Sequence, residues 1–187
     1  AEAGPSEIAV IADEHANAEY VALDLISQAE HDEQAASVLI TDSEAFARRV
    51  DELVEQHSTS TLNAERARSA LGGAQSGIVL VSDMDAAVAV ADAYAPEHLE
   101  VHTANAREVA ERVTNAGAIF VGPYSPVPLG DYAAGSNHVL PTSGTARFSA
   151  GLSTQTFLKP VNLIEYDQAA LAEIGQAIIT LALSLIH

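Results

Sequence analysis

Residues 36–42 read ASVLITD, an unbroken apolar run that closes on Thr41 and Asp42, with Ser43 and Glu44 directly behind it. Continuous Val, Leu and Ile without polar alternation predict a strand buried on both faces. The oxygens of Thr41, Asp42 and Ser43 are acceptors for the unpaired N–H groups of a helix start, and Glu44 suits its first turn. A buried strand that passes at once into a capped helix is half of a strand–helix–strand unit. The same pattern recurs along the chain. EIAVIAD (7–13), SGIVLVSD (76–83), LEVHT (99–103) and AGAIFVG (116–122) read as further strands, mostly buried on both faces. Helical spacing fills 18–30, 43–56, 62–71, 84–95 and 104–114, with Ser82 and Asp83 as caps before Met84 and Pro96 as a stop. Such alternation predicts a parallel sheet with helices packed on its faces.

At 187 residues the chain can enclose one domain-sized core. A hydrophobic share of 48% argues against disorder, while the longest apolar runs fall short of a bilayer span. Twenty-six acidic residues against eight basic ones give a net charge of −18, with Lys159 the only lysine. That field repels phosphate backbones and anionic headgroups, so neither nucleic acid nor a membrane surface is expected as a partner. Without cysteine there are no disulfides and no thiolate ligands, and the first residues lack a basic leader, so the expected compartment is the cytoplasm.

From Gly122 to Thr156 the periodicity fades into Gly, Pro, Ser and Thr, and a loop of that length in a compact domain usually serves function. A last helix is expected over 167–185, apolar on several faces and in need of something to pack on.

Three places could carry chemistry. In SQAEH (27–31), Gln28 and His31 stand three apart on one helical face, although spacing alone favours His31 as a cap of the helix C-terminus. In YAPEHL (94–99), Glu97 and His98 pair a carboxylate with an imidazole, a combination suited to proton transfer near neutral pH. They can meet only in the irregular turn after Pro96, before the strand begins. In GDYAAGSNHVLPT (130–142), Asp131 and His138 are seven apart, but Gly130, Gly135 and Pro141 disfavour a helix, so a loop would have to bring them together. Gln, His and Asp form a donor set that accepts zinc, manganese or cobalt.

These segments in this order resemble the histidinol dehydrogenase family. The resemblance rests on AGPSEIAVIAD, DLISQAEH, YAPEHLEV and AGAIFVGPYSPVPLGDYAAGSNHVLPTSGTARFSAGLSTQTFLK, and covers about residues 2 to 165. It implies that Gln28, His31 and Asp131 are zinc ligands, with one Zn2+ per site. It implies that Glu97 and His98 are catalytic, and that Ser6, Gln28, His31, His98, Asp131 and His138 contact the substrate, L-histidinol. In such enzymes two NAD+ in succession take hydride, alcohol to aldehyde and hydrated aldehyde to carboxylate, within an intertwined homodimer.

By the same resemblance the chain is a C-terminal portion, shortened at both ends. The main NAD+-binding residues then lie outside it, no cofactor contact can be named, and the isolated portion is expected to be inactive. The family's terminal Glu-x-x-x-x-His element is not matched, since Ala182 precedes His187 by five, and His187 is not expected to be a ligand. The expected fold is therefore an incomplete Rossmann-like parallel sheet with helices on both faces, a long functional loop and a C-terminal helix. Its boundaries are 1–156 for the metal- and substrate-binding domain and 157–187 for the helical segment. The alternative is a non-catalytic α/β module that binds zinc and a small ligand; a zinc hydrolase using Glu97 is disfavoured, because nothing resembles an oxyanion device.

Overall fold

The computed structural model describes residues 4–184; His187 lies outside them. Five parallel strands, β1 (Glu7–Ala12), β2 (Ala36–Thr41), β3 (Gly77–Leu80), β4 (His98–His102) and β5 (Ala118–Val121), form one sheet in the order β3-β2-β1-β4-β5. This is the Rossmann arrangement, with the chain reversing direction of growth between β1 and β4. The register there pairs Ile8 with His98, Val10 with Glu100 and Ala12 with His102.

Side chains alternate across the sheet, which separates two cores. On one face Ala9, Ile11, Val38, Ile40, Leu99 and Val101 pack against α4 (Met84–Tyr94) and α5 (Ala106–Ala110). On the other, Ile8, Val10, Ala12 and Leu39 pack against α1 (Ala18–Ala29) and α2 (Glu44–Ser58). A smaller cluster of Ala29, Ala35, Ala67 and Ala70 seats α3 (Ala64–Leu71) beneath α1. Caps expected from the sequence are made: Ser43 Oγ accepts from Phe46 N, and Asp83 accepts from Ala86 N. Asn17 caps α1 in the same way, accepting from Glu19 and Tyr20.

Three local readings need correction. β3 is an edge strand whose Ile78 and Leu80 are exposed, because only β2 pairs with it. The segment from Gly122 onward is not structureless, since α6 (Val127–Tyr132) forms within it and two 3-10 turns follow at Thr145–Arg147 and Thr154–Phe157. A helix can start there because Pro126 precedes it in extended conformation and Pro128 falls in its first turn, where no N–H is missed. The 104–114 helix shrinks to five residues.

The chain divides into two compact units, Ala1–Ser153 and Thr154–His187. In the second, α7 (Gln168–Ser184) has no buried residue among those described. No helix among the described residues is long and apolar enough to cross a membrane.

Leu99 is fully buried at the centre of the α4/α5 face. Leu99→Ala should lower unfolding stability by about 3 kcal/mol, through lost transfer energy and the cavity left behind; urea denaturation followed by circular dichroism measures it.

Candidate metal and proton-transfer site

α1 runs antiparallel to its strands, so its C-terminal turn returns to the amino edge of the sheet. There Gln28 is buried, and a single further αR residue, Glu30, carries the chain to His31, whose N–H donates to the Gln28 carbonyl at 3.1 Å. The helix proper ends at Ala29, one residue earlier than its sequence suggests, yet Gln28 and His31 remain on one face. Asp131 arrives from α6, which crosses the face that α1 packs on. Gln28, His31 and Asp131 line one cavity of about 180 Å³, together with Ile8, Asp24, Ser27, Val127, Pro128 and Tyr132. The side-chain Nε2 of Gln28 is buried with no protein partner. That N–H group calls for a hydrogen-bond acceptor, such as a ligand oxygen, and not for a cation; the amide oxygen of Gln28, the His31 imidazole and the Asp131 carboxylate form a donor set that fits a zinc ion.

α6 reaches this position because Gly130 lies against the Phe120 ring, where an added Cβ would approach ring carbons to 2.7 Å. The glycine is needed for that contact. His138 is exposed and does not line the cavity, so the structure does not bring it to Asp131. Helix formation explains the separation: Asp131 turns inward with α6, and the chain leaves through Gly135 at φ 78 before His138. Beyond it, buried Leu140, Pro141 and Thr142 run back along the amino edge of the sheet.

Glu97 and His98 sit one strand over. Ala95 ends α4 in the left-handed region at φ 56, an unusual choice for alanine, and Pro96 follows. The resulting corner leaves Glu97 outside β4 and His98 as its first residue, so both side chains can converge: His98 Nδ1 lies 3.6 Å from Glu97 Oε2. Both are buried. Glu97 Oε2 accepts from Ser6 Oγ at 2.8 Å and from the Glu7 N–H at 3.1 Å. Ser6 is thus held by the carboxylate and is not among the residues lining the cavity. His98 Nδ1 lies 3.0 Å from the Glu7 carbonyl, an acceptor only, so Nδ1 carries the proton and donates. Nε2 is left as the basic nitrogen. His98 shares a sheet face with its partner Ile8, which lines the cavity, but neither His98 nor Glu97 is itself among the lining residues.

Two buried groups escaped the sequence reading. Behind Glu97, burial pushes the Glu7 carboxyl above its ordinary range; backbone N–H groups oppose this and the Glu97 charge adds to it. Tyr94 Oη donates to Glu7 at 3.4 Å, and burial raises the tyrosine likewise. Beneath the cavity, Asp24, Glu100 and His102 present ligand atoms within 4.8 Å of one another, a cluster able to coordinate a metal. The signal existed in the sequence: Asp24 precedes Gln28 by one helical turn, and Glu100 and His102 interrupt a strand read as buried.

A family model described as histidinol dehydrogenase matches residues 1–184. The histidinol dehydrogenase of Corynebacterium efficiens is 70% identical over 97% of this chain and 40% of its own length. That of Thermobifida fusca is 60% identical over 97% of this chain and 41% of its own length. A crystal structure of histidinol dehydrogenase from Elizabethkingia anophelis superposes with a TM-score of 0.83 at 37% identity, covering 97% of this chain and 42% of that one. The chain thus spans about two fifths of the length of the relatives it matches.

Burial, then the Glu100 charge and hydrogen bond, push the Asp24 carboxyl from 3.8 up to about 7, with His102 opposing. Between those values the folded chain holds a proton that the unfolded chain has lost. The stabilisation is therefore complete below pH 3.8 and disappears as the pH rises through about 7. In metal-free protein, wild-type stability should fall over that window more steeply than that of Asp24→Asn, as urea midpoints at pH 5 and pH 8 would show.

Proposed function

The chain belongs to the histidinol dehydrogenase family, and we propose that it supplies the zinc- and substrate-holding part of an enzyme that oxidises L-histidinol through histidinal to L-histidine. Two NAD+ accept the hydrides, in a cytosolic homodimer acting in histidine biosynthesis. The observation that carries this reading is the convergence of Gln28 and His31, at the end of α1, and Asp131, in α6, on one cavity whose wall includes Ile8, the strand partner of His98.

Gln28, His31 and Asp131 would hold the ion. When bound there, a zinc ion would supply Lewis-acid orientation and polarisation of the substrate, leaving the electron chemistry to the nicotinamide. His98, with its proton fixed on Nδ1 by the Glu7 carbonyl, has Nε2 available to take the hydroxyl proton as the first hydride leaves for NAD+. Water must then add to the aldehyde, and the hydrate loses the second hydride. Glu97 suits the activation of that water. Its Oε2 is anchored by Ser6 and the Glu7 amide, which aims the carboxylate and leaves Oε1 to accept a proton. Burial keeps both groups out of bulk solvent. Ser6 serves by orienting Glu97, and would meet the substrate, like the exposed His138, only through movement of its segment.

Metal analysis of the purified chain should find about one zinc, lost in His31→Ala and in Asp131→Ala. A folded Asp131→Ala variant with full zinc content would remove Asp131 from the set.

Because the matched relatives are far longer, the chain alone should give no histidinol-dependent NADH. In an enzyme spanning the relatives' full length, Glu97→Gln should lower kcat by roughly 10²-fold or more with zinc content unchanged. Undiminished turnover in that variant would exclude the proposed role of Glu97.

A further inference from the structure

Glu100 is fully buried in the middle of β4, two residues beyond His98. A carboxyl in such a place is costly unless every oxygen is engaged. Its Oε1 accepts from the N–H of Val127 at 3.3 Å. Val127 is the first residue of α6, the helix that carries Asp131. Its Oε2 lies 3.2 Å from His102 Nε2. Asp24 closes the cluster from α1, with a carboxyl oxygen within 4.8 Å of the other two ligand atoms. Asp24 stands one helical turn before Gln28 and two before His31, on the same side, and lines the same cavity.

The geometry points to Glu100, joined by Asp24, as the positioning residue that ties both ligand-bearing helices to the strand carrying His98. This rests on the ligand set proposed above. The two ligand groups come from elements far apart in sequence, and a metal site needs its donors held at fixed separation before the ion arrives. Apolar packing of α1 and α6 on the sheet resists separation but tolerates sliding. A hydrogen bond from the first N–H of α6 to a carboxylate rooted in β4 fixes the helix along its own axis. Asp24 does the same for α1 by meeting the carboxylate directly. Burial and the neighbouring Glu100 carboxylate push the Asp24 carboxyl upward, as expected for two acids held side by side. His102 approaches from the strand side and limits how far Glu100 can move.

Glu100→Met fills the same space without an acceptor, whereas Glu100→Gln keeps an oxygen for Val127 and gains an N–H for Asp24. Zinc affinity, read by competition with a chromogenic chelator, should fall roughly ten- to hundredfold in Glu100→Met and in Asp24→Ala. Glu100→Gln and Asp24→Asn should stay within about threefold of wild type, and hydrogen exchange of the amides in 127–132 should quicken in Glu100→Met alone of the two Glu100 variants. His31→Ala serves as the control for the ligand set. If His31→Ala loses zinc while folded Glu100→Met matches wild type in both affinity and exchange, the positioning role is overturned and the ligand set stands. If wild type takes up no zinc, the ligand set fails, and exchange alone decides: faster in Glu100→Met supports the tie, unchanged overturns it. Two zinc ions per chain, one lost in Glu100→Gln, would make the cluster a metal site and overturn the inference.

Discussion

The site depends on the parallel pairing of β1 with β4, locked at its amino end by one carboxylate. Glu97 receives the Ser6 hydroxyl and the Glu7 amide, while the Glu7 carbonyl takes the His98 imidazole. These bonds cross between segments some ninety residues apart and set the register in which Ile8 faces His98. A slip of one residue would turn His98, Glu100 and His102 into the apolar face built by Leu99 and Val101, where nothing could satisfy them. Register, buried polar pairing and site geometry are thus one constraint. Gly117 belongs to it as well, since a Cβ there would press to 2.5 Å on the Glu97 carbonyl oxygen.

The location of the cavity follows from this. Open α/β sheets usually hold ligands outside the carboxyl ends of their strands, where the order reverses. Here the candidate residues collect at the opposite edge: Ser6 and Glu97 precede their strands, and Gln28 and His31 end the helix that returns to that edge. What gathers them is the polar stripe of β4. His98, Glu100 and His102 all face α1, so this side of the sheet is apolar near α2 and polar toward α6. Burying that stripe requires partners from neighbouring elements, and Asp24 and the Val127 amide are those partners.

Much of this was legible in the chain. The strands with capped helix starts, the parallel sheet and the last helix follow from local spacing. The burial of β3 did not follow, because an apolar run carries no mark of its rank in the sheet, and β3 proved to be an edge. The short helix around Asp131 was hidden by Gly130, which propensity counts against a helix but which the Phe120 ring requires. His138, seven residues from Asp131 in sequence, parts from it for the same reason.

The residues alone settled which chemistry was possible: no thiolates, few cations, and Gln, His, Asp and Glu in short clusters suited to a metal and to proton transfer. Only the tertiary structure decided which of these share a space, that Ser6 answers to Glu97 and that Asp24, Glu100 and His102 lie together. The physical reason is range. Helical and strand periodicity place neighbours within a few residues. A buried carboxylate finds its partner wherever packing brings a donor within 3.5 Å, and sequence separation does not limit that distance.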